Sequence, residues 1–166
     1  MYKYKYIYIY PMFKNALYMM IASFLIQYYA MPVIMTNKTE NITNSVSKIY
    51  MSFIMAAMMG LLEVLLPMDM GPKSVHHHSV AAQGLFVFVL SLVLGTFIYL
   101  YRKQIGVNDN AYLSEMTEHH SMAILTSSAI IKKTKNPKVK KLAKEILAKQ
   151  KEEIKIMRSL REQPSS

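Results

Sequence analysis

At 166 residues the chain can hold one domain, or one small domain behind a membrane anchor. Its 52% hydrophobic content favours the second, and the lack of any cysteine excludes disulfide scaffolds, zinc knuckles and thiolate catalysis. The net charge of +10 divides evenly, with 8 basic and 3 acidic side chains in residues 1–103 and 12 and 7 in residues 104–166.

The opening MYKYKYIYIY is low-complexity, and its Tyr and Lys suit the headgroup zone of a bilayer; Met12 is an alternative start. No small-residue cleavage site follows, so the next apolar run is expected to stay in place as an anchor. It covers residues 15–35. Further apolar stretches at 49–68 and 80–101 also approach the ~20 residues that a hydrocarbon core requires. The third, VAAQGLFVFVLSLVLGTFIYLY, has almost no polar face, which makes a bilayer its natural solvent. These stretches predict a three-helix membrane anchor over residues 1–103.

Three crossings place the 36–48 connection on the same side as the C-terminal region, and the N-terminus with the 69–79 loop on the other. Basic residues near the membrane number four on each side, so charge does not orient the chain. The 36–48 connection contains two formal glycosylation sequons, Asn37-Lys-Thr39 and Asn41-Ile-Thr43.

Fifteen methionines are far more than ordinary usage provides. Met51, Met55, Met58 and Met59 recur at helical spacing in the second crossing, Glu63 continues the Met55–Met59 line, and Met31 and Met35 repeat the spacing in the first. Thioethers are soft ligands that favour Cu(I) and carry no charge, and an intramembrane Glu is a functional candidate by default. Apolar packing by flexible Met side chains explains the same pattern. The loop after the second crossing holds Met68-Asp69-Met70 and the run His76, His77, His78, which together with Met51, Met55, Met59 and Glu63 would form a metal relay across the membrane.

After Arg102-Lys103 the pattern becomes helical, with Gly106 to Asn110 as the break. A helix over 109–133 places Leu113, Met116, His120, Ile124, Ser127 and Ile131 on one stripe. Asn136-Pro137 is a cap followed by Pro at the first helical position. The helix it opens runs to about Arg161, with Val139, Leu142, Ala143, Ile146, Gln150, Glu153, Met157 and Leu160 at three-and-four spacing. The short connection predicts an antiparallel hairpin over residues 104–166. Paired positions should sum to about 270, which sets His119 and His120 opposite Gln150 and Lys151 and gathers Met116, His120, Gln150, Glu153 and Met157 into one neighbourhood. Glu115 and His119, like Met116 and His120, are i, i+4 pairs. Gln150 and Glu153 interrupt an apolar stripe, and a polar group buried there requires a partner, unless the stripe is narrow and both lie on its rim.

The segments Tyr112-Leu-Ser-Glu-Met116-Thr-Glu-His119-His120-Ser-Met122-Ala-Ile, Asn136-Pro137-Lys-Val-Lys-Lys-Leu-Ala-Lys-Glu-Ile and Gln150-Lys-Glu-Glu153-Ile-Lys-Ile-Met157 together resemble the domain-of-unknown-function family three hundred and five. The resemblance covers roughly residues 110–162. It implies a ferritin-like helical fold, copper binding or copper resistance through Met and His in several members, and Met-rich membrane helices ahead of a domain that usually lies outside the cytoplasm. Relatives commonly carry Ile-Pro before the paired histidines, whereas Thr117-Glu118 stands here and adds a carboxylate beside them.

The expected architecture is therefore all-α: three transmembrane helices followed by an antiparallel two-helix hairpin, a ferritin-like half-bundle. The leading functional expectation is a membrane-anchored protein for copper sequestration or tolerance, with Cu(I) as the favoured metal. Its candidate ligands are Met116, His119, His120, Met122 and Met157, with Glu115, Gln150 and Glu153 as supporting or hard-metal ligands. A Cu(I) transporter using the Met ladder and a metal-free interaction module at a membrane surface are the alternatives. No enzyme is expected, because the residues three before His119 and His120 are Met116 and Thr117 and no Glu-x-x-His frame is completed. The lysines between Lys132 and Lys155 suit a solvated helix face, or an anionic membrane surface or other polyanion, and no nucleic-acid partner is expected. Two amphipathic helices bury too little to stand alone, so the hairpin should pair with a second copy or lean on the membrane segment.

Overall fold

A computed structural model describes residues 9–66 and 80–162, with side chains from Phe13 onward. Every regular element among them is helical. The Met68-Asp69-Met70 and His76, His77, His78 groups lie outside the described residues.

Helix α1 (Ile9–Leu25) widens into a π-helical turn (Ile26–Ala30) and resumes as α2 (Met31–Met35). Pro32 accounts for the change, since it has no N–H to give and its ring crowds the carbonyl four residues back; the wider turn relieves both. Thr36 closes α2, its backbone N–H and its Oγ1 both donating to the Pro32 carbonyl, at 3.0 and 2.7 Å. Helices α3 (Val46–Leu65) and α4 (Val80–Arg102) follow. Three helical segments are long and apolar enough to cross a membrane: Phe13–Met35, Val46–Leu65 and Val80–Arg102. Their limits all lie within three residues of the sequence expectation.

The chain divides into two compact units. One joins the residues up to Tyr28 with Ile49–Ile105, and the other joins Tyr29–Lys48 with everything from Gly106 on. In the first unit α3 presents a seam of Ser52, Ala56, Gly60 and Val64, all buried at i, i+4 spacing. Small side chains let helices approach closely. At Gly60 a Cβ would stand 2.8 Å from Met20 and 3.0 Å from Leu90, so any larger residue would have to displace those side chains. Phe53 stacks on Phe97 at 4.5 Å and meets Phe24 edge-on at 5.0 Å. Gln83, the polar residue early in α4, donates to the Val64 carbonyl at 3.0 Å. Leu17, Ile21, Leu85, Phe88 and Leu92 remain exposed, which gives this unit the apolar exterior that lipid would cover. Met51, Met55, Met59 and Glu63 run one position beside the small-residue seam and are half-buried, while Met58 is exposed.

After α4, left-handed residues stand at Gln104 (φ 52°), near the end of the first unit, and at Gly106 (φ 72°), where the second resumes. In the second unit α5 (Asp109–Lys133) starts under an Asn108 cap that accepts from the Ala111 N–H at 2.8 Å. The Asn136 side chain caps α6 (Pro137–Arg161) by accepting from Lys138 and Val139. The expected hairpin, with its expected limits, is therefore present. Ile124, Ile154 and Met157 form its core, with Leu113, Met116 and Leu147 packed around them.

The face that α6 buries is rotated from the one expected. Ala143, Ile154 and Met157 point inward, whereas Val139, Leu142, Ile146 and Leu160 are exposed. The apolar arc of α6 is wider than one partner helix can cover, and α5 takes only its Ala143–Leu147–Ile154–Met157 side. Further, α5 buries a second face, Ser114, Thr117 and Ser121, against the segment between the first two crossings. The hairpin thus leans on that connection, a support the sequence did not suggest.

Candidate functional site

Contacts from both faces of α5 define the chemistry of this unit. On the face toward α6, the Met116–His120 spacing of one turn brings the His120 Nδ1 to 2.7 Å from the Met116 carbonyl oxygen. A carbonyl only accepts, so Nδ1 carries the proton. The other ring nitrogen, Nε2, lies 3.0 Å from Glu153 Oε2 on α6. With Nδ1 protonated, a neutral ring would turn a lone pair toward a carboxylate. The two atoms can share one proton between them, or a metal ion can take its place. Lys149, one turn before Glu153, lies 3.9 Å from its other oxygen.

Met116, His120, Glu153 and Met157 line one open cavity of about 200 Å³, together with Tyr112, Leu113 and Ile156. Four of the five residues expected to share a neighbourhood do so. Gln150 does not line this cavity, because the register pairs His120 with Glu153, three residues further along α6 than expected. Met122 follows His120 by two residues, about 200° round the helix, and does not line it either.

The paired histidines diverge. His119 turns to Glu115, with Nε2 at 3.4 Å from Oε1, and its ring is half exposed while the Glu115 side chain is buried. The hydrogen bond to Glu115 holds the His119 pKa above its ordinary value, against a smaller opposing effect of desolvation.

The second face of α5 carries a polar network that the sequence reading did not anticipate. Glu118 accepts from Lys48 Nζ at 3.2 Å, from Thr43 Oγ1 at 3.1 Å and from the Thr43 N–H. Both ends of this ion pair are largely buried, and Lys48 also donates to the Thr43 carbonyl at 2.8 Å. One turn on, Ser121 donates to Asn37 Oδ1 at 2.5 Å and accepts from the Asn41 amide at 3.1 Å. Arg158 of α6 completes the network by donating to Asn41 Oδ1 at 2.6 Å and to Glu40 at 3.1 Å. The Arg158 and Lys38 bonds hold the Glu40 carboxyl below its ordinary pKa. The Thr117-Glu118 departure is thus where α5 fastens to the first connection. The helix passes through it without a break, which a proline there would have opposed. Asn41, read from the sequence only as a sequon, is 3% exposed with its amide committed to Asn37 and Ser121.

Among the described residues no three His, Cys, Asp or Glu side chains converge. Any metal held here would have to draw on the thioethers. The donor set of two thioether sulfurs, one imidazole nitrogen and one carboxylate is soft to borderline, and it fits copper better than a hard cation.

A family model described as Domain of unknown function (DUF305) matches residues 107–165. The chain is also similar to the Uncharacterized protein L153 of Acanthamoeba polyphaga mimivirus, at 31% identity over 142 residues that span 86% of this chain and 88% of that relative. No solved structure matches.

Proposed function

This chain belongs to the DUF305 family, and from that premise we propose that it is a membrane-anchored copper-binding protein that sequesters Cu(I) at the hairpin. The observation that carries the reading is the facing pair of His120 Nε2 and Glu153 Oε2, 3.0 Å apart, in a cavity that Met116 and Met157 also line. Those four side chains would hold the ion, and the Met116 carbonyl would fix the His120 tautomer, as partners of metal-bound histidines do. A soft cation bound there would take the place of the proton that the imidazole and carboxylate otherwise share. His119 is outside this set, committed to Glu115 on another face.

A second copy is part of the proposal. Leu142, Ile146, Ile156 and Leu160 leave an exposed apolar stripe on α6 beside Tyr112, and Ile156 and Tyr112 also border the cavity. Pairing of two hairpins into a four-helix bundle would cover that stripe and close the cavity from outside.

The test is an anaerobic Cu(I) titration of the full-length, detergent-solubilised chain against a chromophoric chelator, with the mass read by light scattering in the same samples. Tight binding by a dimer is expected. Met116→Leu with His120→Ala should weaken it at least 100-fold, Glu153→Gln roughly 10–100-fold, and His119→Ala little. Equal losses from the His119 and His120 variants, or no competition by the wild type, would defeat the copper reading; a monomeric mass would remove the second copy.

A further inference from the structure

We infer that a second cavity of the same unit, between the first connection and α6, seats the phosphate of an anionic membrane lipid. The cavity is about 330 Å³ and lies under four cations, Lys38, Lys151, Lys155 and Arg158, with Ile124 and Ile154 among its apolar lining. Glu40 is its one carboxylate and is already engaged by Lys38 at 3.4 Å and Arg158 at 3.1 Å. Lys151 and Lys155 take part in none of the ion pairs among the described residues.

Lys151, Lys155 and Arg158 follow one another at i, i+4 and i+7, a spacing at which like charges repel along a helix. Such a row gains from an anion held between its members. Arg158 is fixed in place by Asn41 and Glu40, so part of the cradle is ordered in advance.

Chain connectivity selects a lipid over a soluble anion. The first span ends at Met35 and the second begins at Val46, so both ends of the connection enter the membrane. Asn37 and Lys38 of the cavity follow Met35 by no more than about 10 Å of chain. This keeps the Asn37–Lys38 rim of the cavity within reach of the headgroup zone, where basic pockets attract anionic lipid.

The inference rests on the membrane placement proposed above but not on copper. It is tested with the full-length chain by native mass spectrometry from detergent micelles doped equally with phosphatidylglycerol and phosphatidylcholine, and in a parallel arm with inorganic phosphate. The wild type should retain phosphatidylglycerol several-fold over phosphatidylcholine. Lys151→Gln/Lys155→Gln should reduce that retention about tenfold, Lys151→Arg/Lys155→Arg should preserve it, and Cu(I) affinity should stay unchanged in both. Undiminished retention in the Gln variant, no preference in the wild type, or displacement of the lipid by an equal concentration of inorganic phosphate would each overturn it. A chain that stays soluble without detergent would instead overturn the membrane placement.

Discussion

Adjacent histidines on a helix point about 100° apart, and in α5 that angle gives them different surroundings. His120 faces α6 and Glu153, while His119 faces solvent and Glu115. The His119 pair has a pH signature. Its folded pKa lies above the unfolded value of 6.5, so the ring is protonated more readily in the folded chain. Its stabilisation is complete below the unfolded pKa and disappears as pH rises through the raised folded one. Thermal melts of wild type and His119→Gln should therefore differ at about pH 6 and converge by roughly pH 8.5, and because the ring is half exposed the difference should not exceed about 1 kcal/mol. A gap of the same size at both pH values would contradict the assignment. At this scale, Met116, His120, Glu153 and Met157 were legible in the sequence, because i, i+4 spacing and a short turn constrain which side chains meet. The divergence of the two histidines was less so, since it depends on which arc of α5 the neighbouring segments occupy.

At the scale of elements, α5 is held from two sides by different forces. Toward α6 the contact is apolar, built on Ile124, Ile154 and Met157. Toward the first connection it is polar, built on the Glu118–Lys48 pair and the Ser121–Asn41–Arg158 bonds. Removing one member of a buried pair leaves the other charge uncompensated. Glu118→Gln should accordingly lower the stability of the full-length chain by about 3 kcal/mol and open the connection to trypsin at Lys38 and Lys48, with Lys48→Met/Glu118→Leu recovering part of the loss. An unchanged melt and digestion pattern would mean that the connection is not held through Glu118. Helix limits were readable because Asn108, Asn136 and Pro137 are local signals. The buried face of α6 was not, because Val139, Leu142, Ile146 and Leu160 satisfy helical periodicity as well as the residues that are buried. The Ser114–Thr117–Ser121 face was harder still, since small polar residues at i, i+3 and i+7 carry no hydropathy signal.

Across the whole chain, apolar length marked the three spans in advance, while the union of Tyr29–Lys48 with the hairpin had no periodic signature and emerged from hydrogen bonds some eighty residues apart in sequence. Two groups of methionines could serve the proposed copper binding: Met116 and Met157 in the hairpin, and the half-buried Met51–Met55–Met59 row of α3. The measurement that separates them most directly is copper K-edge X-ray absorption of the full-length Cu(I) protein and of its Met116→Leu/Met157→Leu variant, in which the α3 row is intact. We predict a mixed sulfur and nitrogen or oxygen shell in the wild type and loss of the sulfur contribution in the variant. A sulfur shell that survives the substitution would place copper elsewhere, with the membrane methionines first in line, and would contradict the hairpin site.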